Sequence, residues 1–441
     1  MLINIIGSFQ NAFRIPDLRK KLIYTFILLA VYRVGSHIPL PGIDIKALTS
    51  WFNSQAVAGG ILGLYDIFAG GNLQRAAIFA LGIMPYISAS IIFQLLGAIW
   101  PYIQKLQQEG EEGRKKITQY ARYLTILLAL FESYGISIFL EGLSLSGFTI
   151  VPIAGLGFRL LTMLTLTTGT MFVMWLGEKI TEKGIGNGIS IIILIGIVAR
   201  LPQDTMDVMR LVLAGTLSIT YVVIFLAIIV LMTASVVLVT QSQRRIPVQY
   251  AKRVVGRKVY GGQSTYIPLN VNAAGVIPII FAQSIIMFPT TLAGFFKANP
   301  IANWIFEIFT PGSIIYLTLY GLLIIFFAFF YTSVVINPQD MSENMKKYGG
   351  FIPGLRPGKQ TKDYIDRVIT RITFPGAIFF AFVAIIPIIV INITRIPVYF
   401  GGTSILITVG VILETVAQIE SYLLMRSYEG FMKKGRIKGR S

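Results

Sequence analysis

Hydrophobic residues in this chain fall into ten runs, near 22–40, 76–101, 118–139, 157–178, 185–200, 214–240, 273–293, 313–336, 372–394 and 402–424. Most approach the roughly 20 apolar residues that a helix needs to cross a hydrocarbon core about 30 Å thick. The pattern predicts an all-α polytopic membrane protein with ten transmembrane helices. The polar residues between the runs are sorted by charge. One set of loops holds Arg14, Arg19, Lys20 and Lys21, then Arg114, Lys115 and Lys116, then Lys179 and Lys183. The same side continues with the long loops 241–272 and 337–371 and the tail "MRSYEGFMKKGRIKGR". The opposite loops are nearly bare, with basic residues such as Lys46, Arg200, Arg210, Lys297 and Arg395. Lys and Arg stay on the cytoplasmic side of a membrane protein. Both termini are therefore expected in the cytoplasm, as an even number of spans requires.

Composition agrees. The chain has 441 residues, 54% hydrophobic and 13% charged, with a mean hydropathy of +0.71; a soluble chain carries nearer a quarter charged residues. The net charge of +18 then sits mostly in a cytoplasmic fringe. Cysteine is absent, which excludes disulfides, thiolate metal sites and cysteine nucleophiles. His37 is the only histidine, which removes histidine-based metal clusters and a Ser-His relay almost entirely. The opening "MLINIIGSFQNAFRIPDLRKK" reads as an amphipathic lead-in and not as a cleavable signal peptide.

A repeat divides the chain. "GIMPYISASII" begins at Gly82 in the second run and "GVIPIIFAQSII" at Gly275 in the seventh. Gly82, Pro85 and Ile87 recur as Gly275, Pro278 and Ile280, which is the spacing expected of two five-span halves, 1–200 and 201–441. Halves with an odd number of spans lie in opposite orientations, as in many transport folds. A proline within a span breaks the backbone ladder, which is tolerated only against protein or a water-filled cavity. Both repeats are expected to line the interior. The stretch "EKGIGNGIS" (182–190) is a different case. Glycines beside a lysine resemble a phosphate-cradling loop, but that loop needs a buried strand before it and a helix after it. Here apolar spans flank it on both sides, and a sharp turn with close backbone packing is the better reading.

Several stretches together resemble the SecY family. They are "YRVGSHIPLPGID" (32–44), "YDIFAGGNLQRAAIFALGIMPYISASIIFQLL" (65–96), "GTMFVMWLGEKITEKGIGNGISIII" (169–193), "RRIPVQYAKR" (244–253), "AAGVIPIIFA" (273–282), "GFIPGLRPGKQTKDYID" (350–366) and "YFGGTSILI" (399–407). The resemblance covers nearly the full length. It implies two inverted five-helix halves forming a clamshell around an hourglass pore, sealed by a plug and able to open laterally to lipid. The implied function is a protein-conducting channel, not an enzyme and without cofactors. It would translocate unfolded preproteins and release membrane proteins into the cytoplasmic membrane. The implied partners are the small membrane subunits SecE and SecG, the motor ATPase SecA, the ribosome, signal sequences with nascent chains, and lipid.

The residues can be read physically beside that resemblance. A channel for unfolded polypeptide must accept any side chain while leaking few ions, and a narrow apolar constriction closes by dewetting without gripping its cargo. Ile83 and Ile87 lie four apart in the second run, and Ile189 and Ile193 four apart in the fifth. With Ile280 and Ile407 they are the pore ring that the resemblance implies. Packed core or lipid-facing isoleucine is the plainer alternative. Residues 59–71, "GGILGLYDIFAGG", are bracketed by glycine pairs. About ten residues of helix rise only ~15 Å, too short to cross. The resemblance makes this segment the plug, with Gly60, Leu64, Tyr65, Asp66, Ile67, Phe68 and Gly70; an ordinary external loop is the alternative. Asp66 suggests that one face of it stays wet.

A charge at the bilayer centre costs at least ~2.5–3.5 kcal/mol, which singles out Glu132 and Glu414 within spans. Glu132 could join Ser88, Gln283 and Ser284 in a polar seam at the lateral gate, or it could face water or a partner. Loop 241–272 contains Arg244, Arg245, Lys252, Arg253, Arg257 and Lys258 and no acid, which suits an anionic docking surface such as ribosomal RNA. In loop 337–371, "GLRPGKQ" presents Arg356 between a glycine turn and a proline, with Lys359 close behind. The resemblance assigns both loops to ribosome and motor docking; the chain has no Walker motif of its own. A small-solute secondary transporter would share inverted halves, but it should cluster polar groups at the midplane. An intramembrane hydrolase would need a nucleophile–base pair or a metal site.

Overall fold

Each of the ten apolar runs overlaps a helix in the structure, a computed structural model that describes residues 13, 15–54, 65–66, 69–145, 148–250, 253–255, 258–260, 264–295, 300, 304, 308–309, 312–394 and 401–434. In chain order the helices are α1 Pro16–Gly35, α2 Ile45–Ser54, α3 Met84–Ile99, α4 Pro101–Gln108, α5 Glu111–Gly142 and α6 Leu156–Lys183. Then come α7 Gly188–Val198, α8 Leu201–Leu213, α9 Ile219–Gln241 and α10 Ile277–Phe295. The last are α11 Ile314–Val335, α12 Pro338–Lys347, α13 Lys359–Thr394 and α14 Gly402–Lys434. Among the described residues, seven segments are long and apolar enough to cross a membrane, and eight if the bent pair α3–α4 counts as one. α10 is apolar but shorter, and α1 opens on charged residues.

Two runs begin later than their hydropathy predicts. Residues 71–83 form turns, and α3 starts only at Met84; residues 271–276 do the same before α10. Pro85 and Pro278 therefore stand in the first turn of their helices and do not interrupt a span. A first-turn proline gives up an N–H that has no intrahelical acceptor anyway, and its fixed φ suits the helix. The 100° bend between α3 and α4 has a similar origin: Trp100 is extended and Pro101 opens the next helix.

The fold is not purely helical. On the basic side of the molecule, β3 Gln243–Tyr250 pairs antiparallel with β6 Ser264–Asn270, from Gln243↔Asn270 to Gln249↔Ser264. β4 Arg253–Val255 pairs with β5 Lys258–Tyr260, so the described residues of loop 241–272 are largely paired β-strand. β7 Gly350–Phe351 adds to the other edge of β3 through Gln249↔Phe351 and Tyr250↔Gly350. A small hairpin, β1 Ser144–Leu145 with β2 Phe148–Thr149, follows α5. The signal for β3 was local. Ile246 and Val248 are buried and alternate with exposed Arg245 and Pro247, the period of a half-buried strand.

One apolar core joins both halves of the chain, from Leu28 and Tyr32 of α1 to Ile407 and Val411 of α14. A second, smaller core holds Ile246, Val248 and Leu269 of the ribbon against Met345, Ile352 and Ile365. Loops 241–272 and 337–371 thus fold into one body. Residue 200 lies between α7 and α8, within the segment Gly188–Leu213 that is long and apolar enough to cross as one span.

Candidate functional site

Four helices, α3, α7, α10 and α14, carry five of the six isoleucines. α3 packs on α10, α10 on α14, and α14 on α7. Ile83, Ile87, Ile193, Ile280 and Ile407 are all buried, at 0–4% exposure, in the core that both halves share. Ile83 stands just before α3, and its carbonyl accepts the N–H of Ile87 at 3.1 Å. Ile87 and Ile280 each lie three residues past the first residue of their helix, at related positions of the repeat. Ile189 differs from the other five. It is only partly buried, and its Cγ1 would lie 3.3 Å from a Cβ placed on Gly177 of α6. At this level the core shared by the two halves is built of hydrocarbon side chains.

Four backbone donors of the glycine-rich stretch before α7 are already taken within the protein. The N–H of Gly184 donates to Ile180 O (2.8 Å), that of Ile185 to Thr25 Oγ1 (3.1 Å) and that of Gly188 to Thr181 Oγ1 (2.9 Å). Gly186 donates to the Gln418 side chain. Asn187 caps α7 by accepting from Ile189 (3.1 Å) and Ser190 (3.4 Å). A Cβ on Gly188 would fall 2.0 Å from Gly177 O, so the glycine permits α7 to leave α6 at close range. The turn delivers Ile189 and Ile193 to their positions.

Of the predicted plug residues, Tyr65, Asp66 and Gly70 are described; Gly60, Leu64, Ile67 and Phe68 lie outside the described residues. Tyr65 is buried, and its hydroxyl donates to Leu81 O at 3.4 Å. Asp66 is not on a wet face. It is 2% exposed, with Oδ1 accepting from the N–H groups of Leu73 (2.8 Å) and Gln74 (3.0 Å) and Oδ2 pairing with Arg200 at 2.5 Å. Sequence reasoning placed Arg200 in a bare loop and missed the pair. The available signal was only that Asp66 and Arg200 share the sparsely charged side.

The four gate candidates lie on three helices that pack together: Ser88 on α3, Glu132 on α5, and Gln283 and Ser284 on α10. Ser88 is half-buried, while Glu132, Gln283 and Ser284 are buried. Ser284 Oγ donates within its own helix to Ile280 O at 2.8 Å. Glu132 Oε2 and Gln283 Nε2 are buried without a partner. Polar atoms left in this way destabilise the interface they occupy. Glu414, by contrast, is exposed and lines a cavity of about 830 Å³ beside Gly275, Val276, Ile277, Gly410 and Leu413, next to the helix turns that carry Ile280 and Ile407.

Among the partner-binding candidates, Arg244 and Arg245 are exposed on β3. Arg253 and Lys258 stand on the paired strands β4 and β5, and Arg257 lies outside the described residues. Arg356 and Lys359 are exposed. The Arg356 backbone is held on both sides: its N–H donates to Gln360 Oε1 (3.3 Å) and its carbonyl accepts from Thr361 Oγ1 (2.9 Å). Gly354 and Gly358, at φ 83° and 104°, bend the chain around it. Its side chain is presented from a fixed turn.

The sequence model of the SecY family matches residues 77–416. The chain belongs to the SecY family. It is 45% identical to the protein translocase subunit SecY of Thermotoga maritima over 98% of this chain and 99% of that protein. It is 47% identical to the protein translocase subunit SecY of Escherichia coli over 96% of each. Among solved structures, one described as the structure of a protein conducting channel matches with a TM-score of 0.64, at 18% identity and over 95% of both chains. Sec61 from a canine ribosome–channel complex matches with a TM-score of 0.63 over the same shares. At such identity the structures speak to the fold, which is that of the SecY family.

Proposed function

We propose that the chain is the protein-conducting subunit of a translocase in the cytoplasmic membrane. Unfolded preproteins cross through it, and membrane-protein segments leave it sideways into lipid. Both termini and the basic loops face the cytoplasm, as the distribution of Lys and Arg supports. The carrying observation is that the repeat-related helix starts of the two halves bring Ile87 and Ile280 into one buried apolar core, in a chain of the SecY family.

The mechanism follows from the properties of that core. Between substrates the isoleucines of α3, α7, α10 and α14 close the path by excluding water. An extended chain parts them, and apolar contacts reform around any side chain because none of them depends on a specific hydrogen bond. Residues 59–71 seat against the path and reinforce the seal. A signal sequence opens the lateral side between α3 and α10. Its apolar surface replaces the contacts around Glu132 and Gln283, whose unpartnered atoms already make that seam the weaker one.

The channel has no energy source of its own and is driven from outside. The strands with Arg244 and Arg245 share a small core with the segment that carries Arg356 and Lys359, and Arg253, Arg257 and Lys258 add charge to the same loop. These loops dock the ribosome, a role supported by the likeness to a channel described in a ribosome complex. The same loops receive the motor ATPase SecA, and SecE and SecG complete the membrane complex. A small-solute transporter is the weaker reading, since the buried centre is apolar and the family's named members are translocase subunits. The test is to reconstitute the purified chain with SecE, SecG and SecA in vesicles. ATP-dependent protection of a preprotein is expected, and uptake of labelled small solutes without preprotein transport would reverse the assignment.

A further inference from the structure

Asp66 holds three things together. Its Oδ1 accepts the N–H groups of Leu73 and Gln74, at 2.8 Å and 3.0 Å, across the turn made by Gly70 and Gly71, whose φ values are 76° and 78°. Its Oδ2 takes Nη1 of Arg200 at 2.5 Å. Arg200 stands between α7 and α8, and its side chain is only 14% exposed. The carboxylate thus links the turn that ends segment 59–71 to the helix that carries Ile189 and Ile193.

The neighbouring contacts of this turn are weaker, one reaching α7 and two reaching Tyr32 of α1. A Cβ on Gly70 would lie 3.1 Å from Gly196 Cα, so the turn touches α7 backbone to backbone. Tyr32 Oη donates to Ala69 O at 3.5 Å, and Asn72 Nδ2 donates to Tyr32 Oη at 3.4 Å. These are long, neutral bonds. The Asp66–Arg200 contact is short and charge-assisted, the stronger kind.

We infer that Asp66 and Arg200 are a latch that sets how readily the channel opens, resting on the reading of 59–71 as its plug. While they are paired, the base of the segment is fastened to α7. When the segment leaves, both charges must be separated in surroundings that exclude water, which is strongly unfavourable until water follows the moving chain. Opening is thereby tied to wetting of the path. The equilibrium between two discrete states is set by the pair and not by the plug's apolar contacts alone. Asp66 and Arg200 are positioning residues: they touch the plug and α7, not the cargo.

Resting conductance in planar bilayers tests this, using the reconstituted complex with Asp66→Asn, Arg200→Gln, the two together, and a deletion of residues 61–64. Asparagine retains an oxygen for Leu73 and Gln74, so Asp66→Asn removes the charge and little else. Each single substitution should raise the resting open probability by about tenfold or more. The double variant should be no leakier than the worse single one, since the two act through one contact. Singles that leave conductance at the native level, or effects that simply add, overturn the latch. A leaky deletion beside silent single substitutions overturns the latch alone; a deletion that is itself silent removes the plug reading along with it. If Asp66→Asn fails to insert, Arg200→Lys decides, with an intermediate leak expected and native tightness fatal to the proposal.

Discussion

Gly82 and Gly275 share one backbone conformation, with φ of 57° and 65°, and each stands two residues before the first residue of a helix, α3 and α10. Both are left-handed, which L residues with a Cβ adopt at a cost of roughly 1–2 kcal/mol. The match links the two halves at the level of dihedral angles, and the sequence repeat runs through the same positions. It also places Ile87 and Ile280 alike, one turn into each helix.

Gly275→Ala isolates this effect, because no atom lies within 4 Å of where the new Cβ would go. Only backbone strain is introduced. We expect the purified protein to lose about 1–2 kcal/mol of stability, a fall of a few degrees in its thermal unfolding midpoint, with a smaller fall for Gly275→Asn. An unchanged midpoint for Gly275→Ala would show that the turn relaxes freely and that the glycine is not needed there.

Much of this was legible because membrane physics writes large signals. Ten runs of apolar residues located ten helices, and the split of Lys and Arg separated the loops. The start of α3 was not legible, because residues 76–83 are as apolar as the helix that follows. Hydropathy cannot tell a buried string of turns from a span. The β-ribbon was missed for a different reason: its charges drew attention before the alternation of Ile246 and Val248 did. Asp66 was misread as wet because its partner, Arg200, lies 134 residues away. The isoleucines proposed as the ring were singled out by motif, and sequence could not indicate that Ile189 rests against Gly177.

Arg356 is exposed on a turn whose backbone is fixed by Gln360 and Thr361. Charge reversal there should alter a partner's approach without disturbing the fold. Arg356→Glu is expected to insert and unfold like the native protein but to lower motor-driven preprotein transport at least about tenfold. Transport at the native rate in reconstituted vesicles would remove the docking role.

The ribbon should bind nucleic acid through its charges. Replacing Arg257 and Lys258 together with glutamate should weaken ribosome binding, and the native affinity should itself fall steeply as salt is added. Phosphate contacts release counterions, so the logarithm of affinity declines with the logarithm of salt by about 0.7–0.9 per contact. The doubly substituted protein should show a shallower slope as well as weaker binding. Binding measured by co-sedimentation that ignores both the substitutions and the salt would leave these residues a role in topology alone.

The pore ring carries the most exacting prediction. Ile87 and Ile280 are buried at 4% exposure each, at matching positions of the two halves. Serine at both sites removes apolar volume from the constriction and adds hydroxyls that water can bridge. The closed path then wets at lower cost, and the open state gains population relative to it. We expect higher resting ion conductance in planar bilayers and relaxed discrimination against defective signal sequences. Leucine at both sites retains volume and apolarity and should cost under about 1.5 kcal/mol per site, with conductance near the native value. Leucine controls for polarity at constant volume, and resting conductance separates wetting from packing, since a purely structural role would lower stability without opening a path for ions. Equal resting conductance in the native and double-serine channels, at equal inserted amounts, would make these isoleucines ordinary core residues and put the constriction elsewhere.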